Sequence, residues 1–164
     1  MATSSSLLIR DAASGADLIA ARKLFEEYAE SLGFSLCFQG FDREITNLPG
    51  DYRRPGGRLL LANVNGEPAG CVALRPLDST TCEMKRLYVR PAHRAEGIGK
   101  VLVERLIHDA REVGYTRMRL DSLPSMRAAL NLYRTLGFRE IGPYTANPVD
   151  GAVFLELQLE FHSS

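Results

Sequence analysis

Cysteine and histidine are scarce in this chain of 164 residues, and what there is of them is badly spaced for cross-linking or metal. Cys37, Cys71 and Cys82 are odd in number and show no CxxC spacing, which suits neither a disulfide framework nor a tetrahedral zinc site. Cys71 lies in the apolar run Gly70 to Leu74 and reads as a buried, reduced thiol. His93, His108 and His162 are scattered surface positions without His-x-x-x-His spacing, so no metal is expected. Charge of one sign is missing as well. Lys plus Arg and Asp plus Glu both number 20, which leaves no broad positive field to hold a phosphate backbone and excludes nucleic acid as principal partner. No apolar run approaches the roughly 20 residues of a membrane span, and Met1 to Ser6 has neither a basic n-region nor an apolar h-region. Membrane insertion and secretion are therefore not expected, and a cytoplasmic location is.

An apolar share of 45% beside 24% charged residues is that of an ordinary globular protein. The length suits one domain, read as residues 7–162 behind a disordered tail at 1–6. Leu7 to Arg10 reads as a strand. Ser14 to Leu32 reads as an amphipathic helix, because Leu18, Ala21, Phe25, Tyr28 and Leu32 recur at helical spacing before Gly33. A second helix is expected around Phe41 to Leu48, ahead of the breakers Pro49, Gly50, Pro55, Gly56 and Gly57. Arg58 to Val64 and Glu67 to Leu77 form a hairpin through Asn65-Gly66, and Glu83 to Val89 adds a third strand that Pro91 stops. A long helix over Gly97 to Val113 follows, with Ile98, Val101, Leu102, Leu106, Ala110 and Val113 on its buried face. Then come a strand at Thr116 to Leu120, a helix at Ser125 to Leu136 and one or two final strands, the last over Gly151 to Leu159. Helices and strands mix without strict alternation, which gives an α+β domain on a mostly antiparallel sheet.

The stretch from Arg86 to Lys100 carries the chemistry. A strand ends at proline and a glycine-bearing turn opens a helix, whose first amides have no internal partner and lie at the positive end of its dipole. That is an anion site. It is not a nucleotide P-loop, because Gly99-Lys100 is followed by Val101 and no glycine sits five positions earlier. Nor is it a dinucleotide fingerprint, because position 102 is Leu.

Val89-Arg-Pro91 followed by Arg94-Ala-Glu-Gly97-Ile-Gly99 resembles the signature of the GNAT superfamily of N-acetyltransferases, and Ala128-Ala-Leu-Asn-Leu-Tyr-Arg-Thr-Leu-Gly-Phe138 resembles its second motif. Both occur in family order and at family spacing. The resemblance implies a GNAT-like α+β fold (α/β by some schemes), with a mostly antiparallel mixed sheet of six or seven strands flanked by about four helices. It implies transfer of an acetyl group from acetyl-CoA to a primary amine by direct attack in a ternary complex, without a metal. Relatives are often dimers, so a homodimer is possible. By the same resemblance Leu87, Tyr88 and Val89 pair with the pantetheine arm, and Arg94, Ala95, Glu96, Gly97, Ile98, Gly99 and Lys100 hold the pyrophosphate. Backbone amides of Leu87 or Tyr88 polarise the acetyl carbonyl at a bulge.

Tyr133 stands where the family places the acid that protonates the departing thiolate, although it also belongs to a core stripe with Ala129, Leu130 and Leu136. Glu83 is the first candidate base and should share a strand face with Lys85, Leu87 and Val89; its bland reading is a paired surface carboxylate. Asp121 is the reserve base. Relatives often have glycine at the position of Ala95, and an asparagine at that of Met126 that touches the cofactor; Asn131, one turn later, is a candidate replacement. Tyr28, Phe34, Phe38, Phe41 and Tyr52 read as core, with one or two bordering the acceptor pocket. Arg53, Arg54 and Arg58 are candidates to pin a substrate carboxylate, with a solvated loop as the bland reading. Tyr144 and Asn147 in Pro143 to Pro148 are candidates to line the acceptor site. The rival to an enzyme is a non-catalytic acyl-CoA-binding sensor or interaction module using the same turn.

Overall fold

The computed structural model describes residues 6–33 and 40–159. The elements are β1 (Leu7–Asp11), α1 (Gly15–Leu32), α2 (Phe41–Thr46), β2 (Arg58–Val64), β3 (Glu67–Pro76), β4 (Thr81–Val89), α3 (Ile98–Val113), β5 (Arg117–Ser122), α4 (Arg127–Thr135), β6 (Arg139–Ile141) and β7 (Val153–Gln158). Of the expected tail 1–6, residues 1–5 lie outside the described residues, as do Phe34, Cys37, Phe38 and His162, while Ser6 donates its amide to Asn65 Oδ1 at 3.0 Å.

One mixed sheet runs in the order β1-β2-β3-β4-β5-β7-β6, antiparallel throughout except between β4 and β5. The β2–β3 hairpin turns at Asn65 (φ 51°) and Gly66 (φ 83°), the two positive values an Asn-Gly turn supplies at least cost. Helix α1 starts in a capping box: Ser14 Oγ accepts from Asp17 N, and the Asp17 carboxylate accepts from Ser14 N while also bonding Arg10.

Alternation along the strands divides the core into two layers. Leu60, Ala62, Val72 and Leu74 point to α3 and α4, while Leu59, Leu61, Cys71 and Ala73 point to α1 and α2. Both described cysteines are buried free thiols, and burial pushes Cys82 up to about 12. On α3 the buried arc is Ile98, Leu102, Val103, Leu106, Ile107 and Ala110. Val101 is 38% exposed, so its expected place on the core face is corrected. It lies on the far side of the helix from the row 102, 106, 110 that packs on the sheet.

In β4, Cys71 pairs with Tyr88 but Ala73 pairs with Lys85, so two steps of β3 span three of β4. The extra residue makes a bulge at Arg86, whose φ is +61°. Alternation changes phase there. Glu83 and Lys85 lie on the α1 face, whereas Leu87 and Val89 pack on the α3 and α4 core. The single face expected for all four is therefore corrected, because one inserted residue flips every side chain beyond it.

Gly70 stands beside this bulge, and a Cβ there would meet the Tyr88 carbonyl oxygen at 2.7 Å. Gly70→Ala is expected to lower unfolding stability by about 1–3 kcal/mol through overpacking. Urea unfolding should show a lower midpoint at unchanged slope.

Candidate active site

Strands β4 and β5 pair only over Thr81–Glu83 against Arg117–Arg119. Beyond that seam β5 continues with β7 to Ser122, and the two strands part. The gap is a small open cleft with Lys85, Arg86 and Leu87 on one wall and Leu120 to Leu123 on the other. Ala129 and Tyr133 of α4, Met126 ahead of that helix, and Tyr28 and Leu32 of α1 complete it. Of the aromatic group expected to border the acceptor, Tyr28 lines this cleft, Tyr52 lines a neighbouring pocket and Phe41 is buried under the Arg86 guanidinium, 5.3 Å from its ring.

The structure brings together most of the candidate chemistry. Tyr133 is buried, tilted against Phe138 at 5.7 Å, and burial pushes its phenol well above the ordinary value of about 10. It therefore keeps its proton across neutral pH. Asp121 lines the cleft, and its Oδ2 accepts from Asn147 Nδ2 at 3.0 Å. Glu83 lies a layer deeper, only 1% exposed, so the surface-carboxylate reading is wrong. Its Oε1 accepts from Arg75 Nε at 2.8 Å and its Oε2 from the Tyr144 hydroxyl at 2.5 Å. Burial and the adjacent Glu83 charge raise the Tyr144 phenol. Lys85, with 9% of its side chain exposed, puts Nζ 4.0 Å from Glu83 Oε1 and also lines the cleft. Arg75 was not identified from sequence; its place opposite Glu83 on β3 depends on strand register, which no local motif announces.

At the far end of β4 a glycine-bearing turn leads into α3. Gly97 is left-handed at φ 80° and precedes α3, and no side chain caps that helix. The amides of Ile98, Gly99 and Lys100 thus stay available to phosphate oxygens. A Cβ at Gly99 would meet Val89 Cγ2 and Leu132 Cδ2 at 3.8 Å, so the turn lies close to the strand that lines the cleft. Arg94 folds back, its Nε donating to the Val89 carbonyl at 3.1 Å and its guanidinium 5.9 Å from the Tyr88 ring. Glu96 Oε2 is 3.4 Å from His93 Nδ1. Tyr88 packs among the α1-side core, its hydroxyl 3.4 Å from Glu27 Oε1.

Other candidates lie elsewhere. Asn131 is exposed on α4 and does not line the cleft; Met126 does. Arg54 bonds Asp11 at 2.9 Å, and Arg58 is buried beside Asp109 at 3.7 Å while donating to the Pro55 and Gly57 carbonyls. Neither faces the cleft, so their expected role toward a substrate carboxylate is corrected; tertiary ion pairs use them. Among the described residues no helix is long and apolar enough to cross a membrane, and no group of three or more His, Cys, Asp or Glu could hold a metal.

Comparison with known proteins gives the class to which this parted β4–β5 pair and uncapped helix N-terminus belong, an acetyltransferase. The profile of the Acetyltransferase (GNAT) family matches residues 21–138, and the chain belongs to that family. An uncharacterized N-acetyltransferase of Schizosaccharomyces pombe is 38% identical over 145 residues, covering 87% of this chain and 89% of its own. Another, from Dictyostelium discoideum, is 33% identical and covers 84% and 92%. In structure, a GNAT-family acetyltransferase of Staphylococcus aureus superposes with a TM-score of 0.79 at 21% identity, covering 94% of this chain and 100% of that one. A Salmonella typhimurium protein solved with its cofactor acetyl-CoA gives 0.73 at 24% identity, covering 96% of each.

Ala95 occupies the left-handed region at φ 68°, where a Cβ costs about 1 kcal/mol. Ala95→Gly is expected to relieve that strain and raise stability by about 0.5–1 kcal/mol, read as a higher melting midpoint.

Proposed function

We propose that this enzyme transfers an acetyl group from acetyl-CoA to a primary amine of a small molecule or peptide, with both substrates bound together. The observation that carries the reading is the cleft at the β4–β5 parting, which sets Tyr133, Asp121, Lys85 and the bulge in one cavity. The residues present fit the cofactor. Unpaired amides at Ile98 to Lys100 suit its pyrophosphate, and the edge of β4 beyond Glu83 suits its amide-bearing arm. The amide of Leu87, just past the bulge on the cleft wall, would polarise the thioester carbonyl.

The acceptor enters as an ammonium, attracted by Asp121, and must lose a proton before its lone pair can attack. Glu83 takes that proton through Tyr144, whose hydroxyl is already hydrogen-bonded to it. As the C–N bond forms and the C–S bond breaks, the raised phenol of Tyr133 gives its proton to the leaving sulfur. Asn147 holds Asp121 in place.

Two variants test the assignment, with thiol release from acetyl-CoA measured against amines, amino acids, polyamines and peptides. Tyr133→Phe should leave coenzyme A affinity near normal by calorimetry and slow transfer about tenfold or more. Glu83→Gln should cut kcat by about 10²-fold or more, and Tyr144→Phe should follow it in the same direction. Turnover unchanged in Tyr133→Phe removes the acid role, and unchanged turnover in Glu83→Gln moves the base to Asp121.

A further inference from the structure

The cleft already contains an amine. Of the 20 Lys and Arg residues only Lys23, Lys85 and Lys100 are lysines, and Lys85 alone of these is largely buried, while Lys23 and Lys100 are exposed. Its side chain lines the same cavity as Tyr133 and Leu87. Plain alternation puts it on the face of β4 that carries Glu83, two residues before it, and its Nζ lies 4.0 Å from Glu83 Oε1. An external acceptor would have to bring its nitrogen to much the same place.

We propose that Lys85 is itself an acceptor, so that without an external amine the enzyme acetylates its own Lys85 side chain. This rests on the transferase reading above. One ammonium proton goes to Glu83; the freed Nζ lone pair then attacks the thioester carbonyl carbon, forming the C–N bond of acetyl-lysine as the C–S bond breaks, while Tyr133 gives its proton to the sulfur of coenzyme A and the second proton lost from nitrogen restores the Tyr133 phenol. Burial lowers the Lys85 pKa, and Arg86 and Arg75 act in the same direction, against the opposing pull of Glu83 and Asp121. More of the reactive neutral amine is therefore present than on an exposed lysine. Confinement beside the thioester raises the effective concentration of nucleophile far above that of a free amine. Acetylation removes the cation between Glu83 and Asp121 and leaves the cleft more negative, which favours cationic acceptors afterwards.

The test is a time course of the full-length wild-type protein with isotopically labelled acetyl-CoA and no amine, followed by peptide mass spectrometry at all three lysines. Lys85 is expected to gain an acetyl group at least tenfold faster than Lys23, which reports spontaneous acetylation. Glu83→Gln should bring Lys85 down toward the Lys23 rate, and Lys85→Arg should abolish the fast phase. The wild-type ratio decides the matter even where a variant fails to fold. Lys85 labelled no faster than Lys23 overturns the proposal. Thiol release on the amine panel, run with the same preparation, separates the two readings: release with Lys85 unlabelled sinks self-acetylation alone, whereas neither release nor labelling sinks both.

Discussion

The extra residue in β4 at Arg86 is the constraint on which the rest of the site depends. A left-handed arginine inside a strand is strained, and here the surroundings hold it in place. The Arg86 guanidinium makes two hydrogen bonds of 2.9 Å to Glu44 on α2 and lies over the Phe41 ring, with almost none of its side chain exposed. Removing one partner of such a buried pair strands the other charge, at a typical cost of about 3–5 kcal/mol. The ion pair thus ties α2 to the sheet and fixes the phase of β4 on either side of the bulge. Glu83 and Lys85 before it face α1, and Leu87 and Val89 after it face α3 and α4.

Both candidate bases, Glu83 and Asp121, are hydrogen-bonded by a residue from the segment between β6 and β7. Tyr144 reaches Glu83 across 61 positions of sequence and Asn147 reaches Asp121 across 26. Arg119 adds a cation 5.6 Å from the Tyr144 ring, and Phe154 packs on that ring edge-on. A connecting segment usually varies more freely than the elements it joins. Here it is coupled to the proposed base, so a change of acceptor and a change of proton transfer are linked through the same few residues.

Much of this was readable from the chain. Helical and alternating periodicities located ten of the elements, and Asn65-Gly66 with its positive φ values fixed the hairpin. The anion turn and Tyr133 stood in local motifs, and local motifs survive folding. What could not be read was register. Nothing in Glu83 to Val89 announces an inserted residue, so the faces of Leu87 and Val89 came out reversed; only pairing with β3 decides them. The burial of Glu83 and the ion pair of Arg58 with Asp109 are tertiary for the same reason, since each joins elements distant in sequence. The short β6 of three residues is too brief for a periodic signal of its own.

The narrow seam between β4 and β5 has a mechanical side. Four strands, β1 to β4, form one antiparallel leaf and β5, β7 and β6 another, and the leaves are stitched edge to edge by three residue pairs. A sheet joined over so short a length bends at the stitch more readily than within either leaf, as a book bends at its spine. Cleft width is then a softer coordinate than the shape of either leaf.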